Sequence, residues 1–199
     1  MRSSRKHVAQ LLAVVAGVCV LGALFVVPRR PPTRGIPAPA QDTLRRDLVQ
    51  NDGRWYRGGE TNPFTGWMSD HYPGGALLSR SQISNGLVHG LSEMWYTNGQ
   101  MQVREHFKEG ISHGLREKWH ENGSRLSQAM IVEGKVTGTF RSWHENGQLS
   151  EQIELKLGQP EGTAWAYYPS GCLKAETTVR DGQVLGRQSW NDRQRKSAP

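Results

Sequence analysis

Cysteine is almost absent: the 199 residues contain two, Cys19 within an apolar run and Cys172 alone in the body. A disulfide framework is therefore not expected, and no thiolates gather to complete a tetrahedral zinc site. No Ser-His-Asp arrangement, metal-spaced Cys/His cluster or phosphate-cradling glycine loop leading into a helix is visible. Catalytic, cofactor-binding and metal-binding residues are accordingly not expected, and the chain does not read as an enzyme. Positive charge is missing where nucleic acid would need it. The net charge is +7, but residues 1–45 hold seven Lys/Arg against one Asp, and residues 187–199 hold four against one. The 14 basic and 16 acidic residues left between 46 and 186 exclude a phosphate-binding surface on the body and argue against anionic lipid as its ligand.

Long apolar runs are lacking too, with one exception. Val8–Val27 reads VAQLLAVVAGVCVLGALFVV, twenty residues without a charge, enough at about 1.5 Å per residue to cross a hydrocarbon core of about 30 Å. Arg2, Arg5 and Lys6 precede it in a basic tail, residues 1–7. The run ends in Phe25-Val26-Val27-Pro28-Arg29-Arg30 rather than in small residues, so it reads as an uncleaved signal anchor in preference to a cleaved signal. Arginines on its far side balance the positive-inside rule. A short N-terminal tail is easily kept in the cytoplasm, which makes a single-pass protein with an extracytoplasmic repeat domain the expectation. Residues 28–40 (PRRPPTRGIPAPA) are too rich in proline for helix or sheet and form an extended spacer. In the lead-in segment, residues 41–57, the apolar positions 44, 48 and 49 predict a short helix over 41–50, followed by a turn at Asn51-Asp52-Gly53 and a strand over Arg54–Arg57.

What the sequence has in abundance is glycine at fixed register. It falls at 66, 90, 114, 138, 162 and 186, at 86, 110, 134, 158 and 182, and at Gly75, Gly99, Gly123, Gly147 and Gly171, always 24 residues apart. The third series follows Asn98, Asn122 and Asn146 in three copies, with Gly74 and Ser170 in the others. Four residues ahead of that glycine stands an aromatic column, Trp95, Trp119, Trp143 and Tyr167, with His71 in the first unit. Each unit reads as two strands and two turns. Leu91–Tyr96 and Met101–Phe107 alternate with period two, and Asn98-Gly99 between them suits a primed hairpin turn, since both residues tolerate positive φ. Ile83, Phe107, Ile131, Leu155 and Val179 form a second, apolar column, and the residues from Lys108 to Gly114 read as the connection to the next hairpin. The fold expected over 58–190 is all-β: an elongated antiparallel meander of 24-residue hairpins, about ten strands, preceded by one transmembrane helix and followed by a basic tail over 191–199.

The pentapeptide WHENG at Trp119–Gly123 and Trp143–Gly147 has the look of a doubled His-Glu site. Its histidines, however, share a position with Tyr72, Tyr96 and Tyr168, and its glutamates with Pro73, Thr97 and Pro169. A position that accepts Tyr, Thr and Pro flanks a turn, so His120 and His144 read as hairpin-edge residues, as do His89 and His113 beside Gly90 and Gly114.

The unit G-x-x-x-G-x-x-x-x-W-x-x-N-G, at Gly86–Gly99, Gly110–Gly123 and Gly134–Gly147, resembles the MORN-repeat variant, including the YwqK-type antitoxin-like proteins of bacteria. The resemblance covers about residues 51–190 and implies a protein-binding or membrane-associated β-meander with no catalytic residues to carry over. The leading functional expectation is a membrane-anchored, non-catalytic scaffold that binds a protein partner, with an antitoxin-like role as one form of it. Trp165, Trp190, Tyr96 and Tyr168 are the partner-binding candidates. The alternative is an exported module that binds cell-wall or surface glycan.

Overall fold

A computed structural model describes residues 42–192. The sequence-based expectations for the basic tail, the anchor at 8–27, the spacer and residues 193–199 lie outside the described residues. Among the described residues no helix is long and apolar enough to cross a membrane.

The described chain is all-β, with fourteen strands: β1 (Thr43–Leu44), β2 (Leu48–Asn51), β3 (Arg54–Arg57), β4 (Gly66–His71), β5 (Leu77–Ser84), β6 (Leu87–Trp95), β7 (Met101–Lys108), β8 (Ile111–Trp119), β9 (Arg125–Val132), β10 (Lys135–Trp143), β11 (Leu149–Lys156), β12 (Gln159–Tyr167), β13 (Leu173–Arg180) and β14 (Gln183–Ser189). From β4 to β14 each strand pairs antiparallel with the next, and β1 lies parallel to β4, giving one twelve-stranded sheet. The hairpin β2–β3 forms a separate two-stranded sheet.

The helix expected over 41–50 is not formed. Thr43–Leu44 is strand, Arg45–Asp47 a single 3₁₀ turn and Leu48–Asn51 strand again. The extended path lets Leu48 bury against Phe64 and Ile83, with Trp55, Met68 and Val88 packed around them. A lone helix of that length gains less from its backbone than this burial supplies.

The two kinds of turn are also distributed differently from the sequence-based expectation. The primed geometry belongs to the second glycine series: Asn85-Gly86, Glu109-Gly110, Glu133-Gly134, Leu157-Gly158 and Asp181-Gly182 are left-handed at both residues. At Asn98-Gly99 only the glycine is left-handed, with φ +82°. Gly99 N–H donates to Tyr96 O at 2.9 Å, and Tyr96 N–H donates to Gln100 O at 2.8 Å. This is a three-residue loop, a tight turn corrected by a left-handed glycine that restores the strand twist. The first glycine series is not in connections at all. Gly90, Gly114, Gly138 and Gly162 sit inside β6, β8, β10 and β12, opposite Phe107, Ile131, Leu155 and Val179. There they bulge the strand, with two residues more than its partner, as between Ser81 and Ile83 of β5 against β6.

The apolar column therefore lies over glycine on one side and pairs with Val88, Ser112, Val136, Pro160 and Val184 on the other. In the second half of the sheet this face is continuous core: Ala129, Ile131, Val136, Phe140, Ile153, Leu155 and Ala164 form one buried cluster. No second layer is needed, because neighbouring rows on a twisted sheet bury one another. In the first half the hairpin β2–β3 covers the same face through Leu48 and Trp55 and acts as a terminal cap.

Candidate functional site

Register places one residue of every strand in a row on the opposite face. From β4 to β14 the row runs Ser69, Arg80, Glu93, Arg104, Glu117, Gln128, Arg141, Gln152, Trp165, Glu176, Gln188, each member directly opposite the next. Cross-strand neighbours on one face interact, and in the first half charged members of the row form ion pairs, with each other or with residues just outside it. Arg104 Nη2 lies 2.9 Å from Glu93 Oε1, Arg125 Nη2 lies 3.2 Å from Glu117 Oε1, and Arg80 Nε reaches out of the row to Asp42 Oδ2 at 2.8 Å. In the second half the pattern changes. Arg141 stands where the two preceding units have Glu93 and Glu117, and its neighbours Gln128 and Gln152 stand where Arg80 and Arg104 were. Arg141 Nε donates to Gln152 Oε1 at 2.8 Å. Trp165 follows in the same row, half-buried between Gln152 and Glu176.

The hairpin ends carry a second set of contacts, each linking one unit to the next. Tyr72 and Tyr96 donate their hydroxyls to Trp95 O and Trp119 O at 2.9 and 2.8 Å. His120 Nε2 and His144 Nε2 meet Trp143 O and Tyr167 O at 2.9 and 3.0 Å, and Tyr168 donates to Trp190 O at 3.0 Å. A carbonyl only accepts, so both histidines carry their proton on Nε2. Burial raises the Tyr72 and Tyr96 phenols above their ordinary value, which keeps these donors protonated. Beside them, Asn98, Asn122 and Asn146 donate Nδ2 to Glu121 O, Glu145 O and Pro169 O at 2.8, 3.2 and 2.6 Å. Their Oδ1 accepts the N–H two residues on in their own loops, from Gln100, Ser124 and Gln148. The repetition of WHENG thus reflects stitching between hairpins. Among the described residues no group of three or more His, Cys, Asp or Glu is placed to hold a metal ion.

The partner-binding candidates fall into two groups. Tyr96 and Tyr168 commit their hydroxyls to these stitches, and the Trp190 carbonyl receives the last of them. Trp165 projects from the polar row. Of the aromatic column, Trp95 and Tyr167 are buried, whereas Trp119 and Trp143 are half-buried, with Arg125 lying over the Trp143 ring at 5.5 Å. Gly75, Gly99, Gly123, Gly147 and Gly171 close the five loops, with φ between +82° and +85°.

Sequence reading missed the polar groups on the apolar face. Glu105 is buried there and paired with Arg116, which also contacts Ser112 at 3.2 Å. Arg116 Nε is buried without a hydrogen-bond partner. Lys118 is lowered below the ordinary lysine value, first by burial and then by the Arg116 charge, and burial alone raises Glu151. It also missed the row through Arg141, although aligning positions 80, 104, 128, 152 and 176 with 93, 117, 141 and 165 exposes the charge reversal.

The family model described as MORN repeat variant matches residues 88–109 and 136–156. The two windows begin two periods apart and each spans one hairpin, so the repeat that the sequence resembles is present in this chain. No curated protein matches. One solved structure, an S. aureus TarM mutant in complex with fondaparinux, alpha-GlcNAc-glycerol and UDP, is similar over 48% of this chain and 19% of its own, at 10% identity and a TM-score of 0.32.

Proposed function

We propose that this chain is a non-catalytic scaffold, held at a membrane by residues 8–27 with its repeats outside the cytoplasm, that binds a protein partner across the polar face of its hairpin sheet. The polar row supports this reading. It presents arginine, glutamate, glutamine and tryptophan in register on strand after strand, an extended surface suited to another polypeptide rather than a cleft suited to a small substrate. An antitoxin-like role, in which the partner is a toxin, is one form of the same activity. Crosslinking in intact cells, followed by capture of the tagged chain from solubilised membranes, is expected to return one protein in near-stoichiometric yield. Recovery of no specific protein overturns the proposal. Protease added to intact cells is expected to cleave the repeats, and protection would place them in the cytoplasm.

A glycan-binding module is the second reading, favoured by a half-exposed Trp165 beside the amide of Gln152. Sedimentation with purified peptidoglycan separates the two: co-sedimentation supports glycan binding, and its absence supports the protein partner.

A further inference from the structure

Four arginines in the repeat sheet are matched by carboxylates: Arg80 by Asp42, Arg104 by Glu93, Arg116 by Glu105 and Arg125 by Glu117. Arg141 is treated differently. Both residues directly across from it, Gln128 and Gln152, are neutral isosteres of the glutamates that flank Arg104 in the same row. Gln152 satisfies one N–H of the guanidinium, through Nε, and supplies no charge. The diagonal carboxylate Glu154 is engaged by Thr139 Oγ1. One strand beyond Gln152 stands Trp165, roughly 10 Å from Arg141 at the usual strand spacing.

We propose that Arg141, Gln152 and Trp165 form a recognition point for a protein segment that carries a single aspartate or glutamate next to an apolar or aromatic side chain. This rests on the protein-scaffold reading above and names the chemistry of its partner. The guanidinium has a planar fork for the carboxylate, the free amide nitrogen of Gln152 offers a further donor, and the Trp165 ring provides the apolar anchor. Surrounding charge decides between a lone carboxylate and a polyanion. Glu117, Glu154, Glu161 and Glu176 border the site, and a polymer with repeated negative charge would meet them on either side. An isolated carboxylate meets Arg141 alone.

The test uses the purified full chain in detergent against an array of twelve-residue peptides, each with one Glu or Asp flanked by apolar or aromatic residues. The same peptides with Gln or Asn, a polyglutamate and a soluble carboxylated polysaccharide serve as comparisons. Single-carboxylate peptides are expected to bind at least about tenfold more tightly than their amide counterparts, the scale of a lost charge-assisted contact. Arg141→Gln is expected to remove that preference, Trp165→Ala to weaken binding of every peptide, and Arg104→Gln to leave binding unchanged. Gln152→Glu guards against misfolding as the explanation: it provides Arg141 with an internal partner, so the variant should fold and still lose the preference. Equal binding by Arg141→Gln and the parent, retention of no peptide, or stronger binding of polyglutamate or the polysaccharide would overturn the proposal. A partner captured from cells that binds Arg141→Gln and parent equally would leave the scaffold reading intact and remove only this inference.

Discussion

His120 and His144 do at their hairpin ends what tyrosine does in the other units: each places one donor against the carbonyl of the following unit's aromatic residue. The chemistry required is a ring of the right reach with a donor at its tip. His120→Tyr is expected to melt within about 0.5 kcal/mol of the parent, and His120→Phe to lose about 1 kcal/mol, the net worth of one hydrogen bond, both read from urea denaturation. A large loss in His120→Tyr would show that the imidazole has another task. Glu151 allows a pH test. Burial raises its carboxyl in the folded state, so the protonated form favours folding below the ordinary glutamate value of 4.5, and that contribution disappears as pH rises through the raised value. At pH 7 the buried charge is a cost. Glu151→Gln should raise Tm by about 2 °C at pH 7 and by nothing near pH 3. An equal gain at both pH values would assign it to packing instead.

At the scale of the element, the turns obey two demands that glycine meets for different reasons. Gly147 has φ +82° and open space where a Cβ would stand, so Gly147→Ala carries only the backbone penalty, about 1–2 kcal/mol. Gly86 has φ +77°, and a Cβ there would come within 2.7 Å of Arg54 Cβ and 3.1 Å of the Trp55 backbone nitrogen. Its carbonyl accepts Trp55 N–H at 2.9 Å, and its N–H donates to Phe64 O at 2.8 Å, tying the first primed turn of the long sheet to the capping hairpin and to the segment that follows it. Gly86→Ala should therefore cost about 2–5 kcal/mol, the overpacking added to the strain, in the same denaturation experiment. Equal costs at the two positions would mean that the cap does not press on this turn. The asparagines that precede the loop glycines illustrate what an element hides from its sequence. Asn-Gly suggests two left-handed residues, yet Asn98 serves by its amide, which bridges to Glu121 O of the next loop. Only the arrival of that loop 23 residues later gives the side chain something to bind.

For the whole molecule, stability follows from neighbours along one axis. Deleting Lys135–Gly158, one full period, joins Gly134 to Gln159 and brings β9 against β12, with Ile131 facing Pro160 and Ala129 near Ala164, a match of apolar rows. The shortened chain is expected to keep one cooperative transition with a urea m-value lower by roughly a sixth, in proportion to the surface lost. Because the deletion removes Arg141, the same variant should lose the carboxylate preference. A broad, non-cooperative melt would show that the repeats are not interchangeable modules.

By itself the sequence determined the repeat length, the hairpin architecture and the two aligned columns. These rest on local backbone preferences recurring every 24 residues, and a period is visible without coordinates. The leucines of the lead-in segment have helical spacing, and what holds Leu48 in an extended stretch is a contact with Phe64 and Ile83 far along the chain. The same holds for the polar row. Which residue faces Arg141 depends on bulges at glycines inside the strands, each of which shifts the register by a step that no local pattern counts. Tertiary pairing alone decided that Arg104 lies between two glutamates and Arg141 between two glutamines, because cross-strand neighbours are chosen by the sheet and not by the chain.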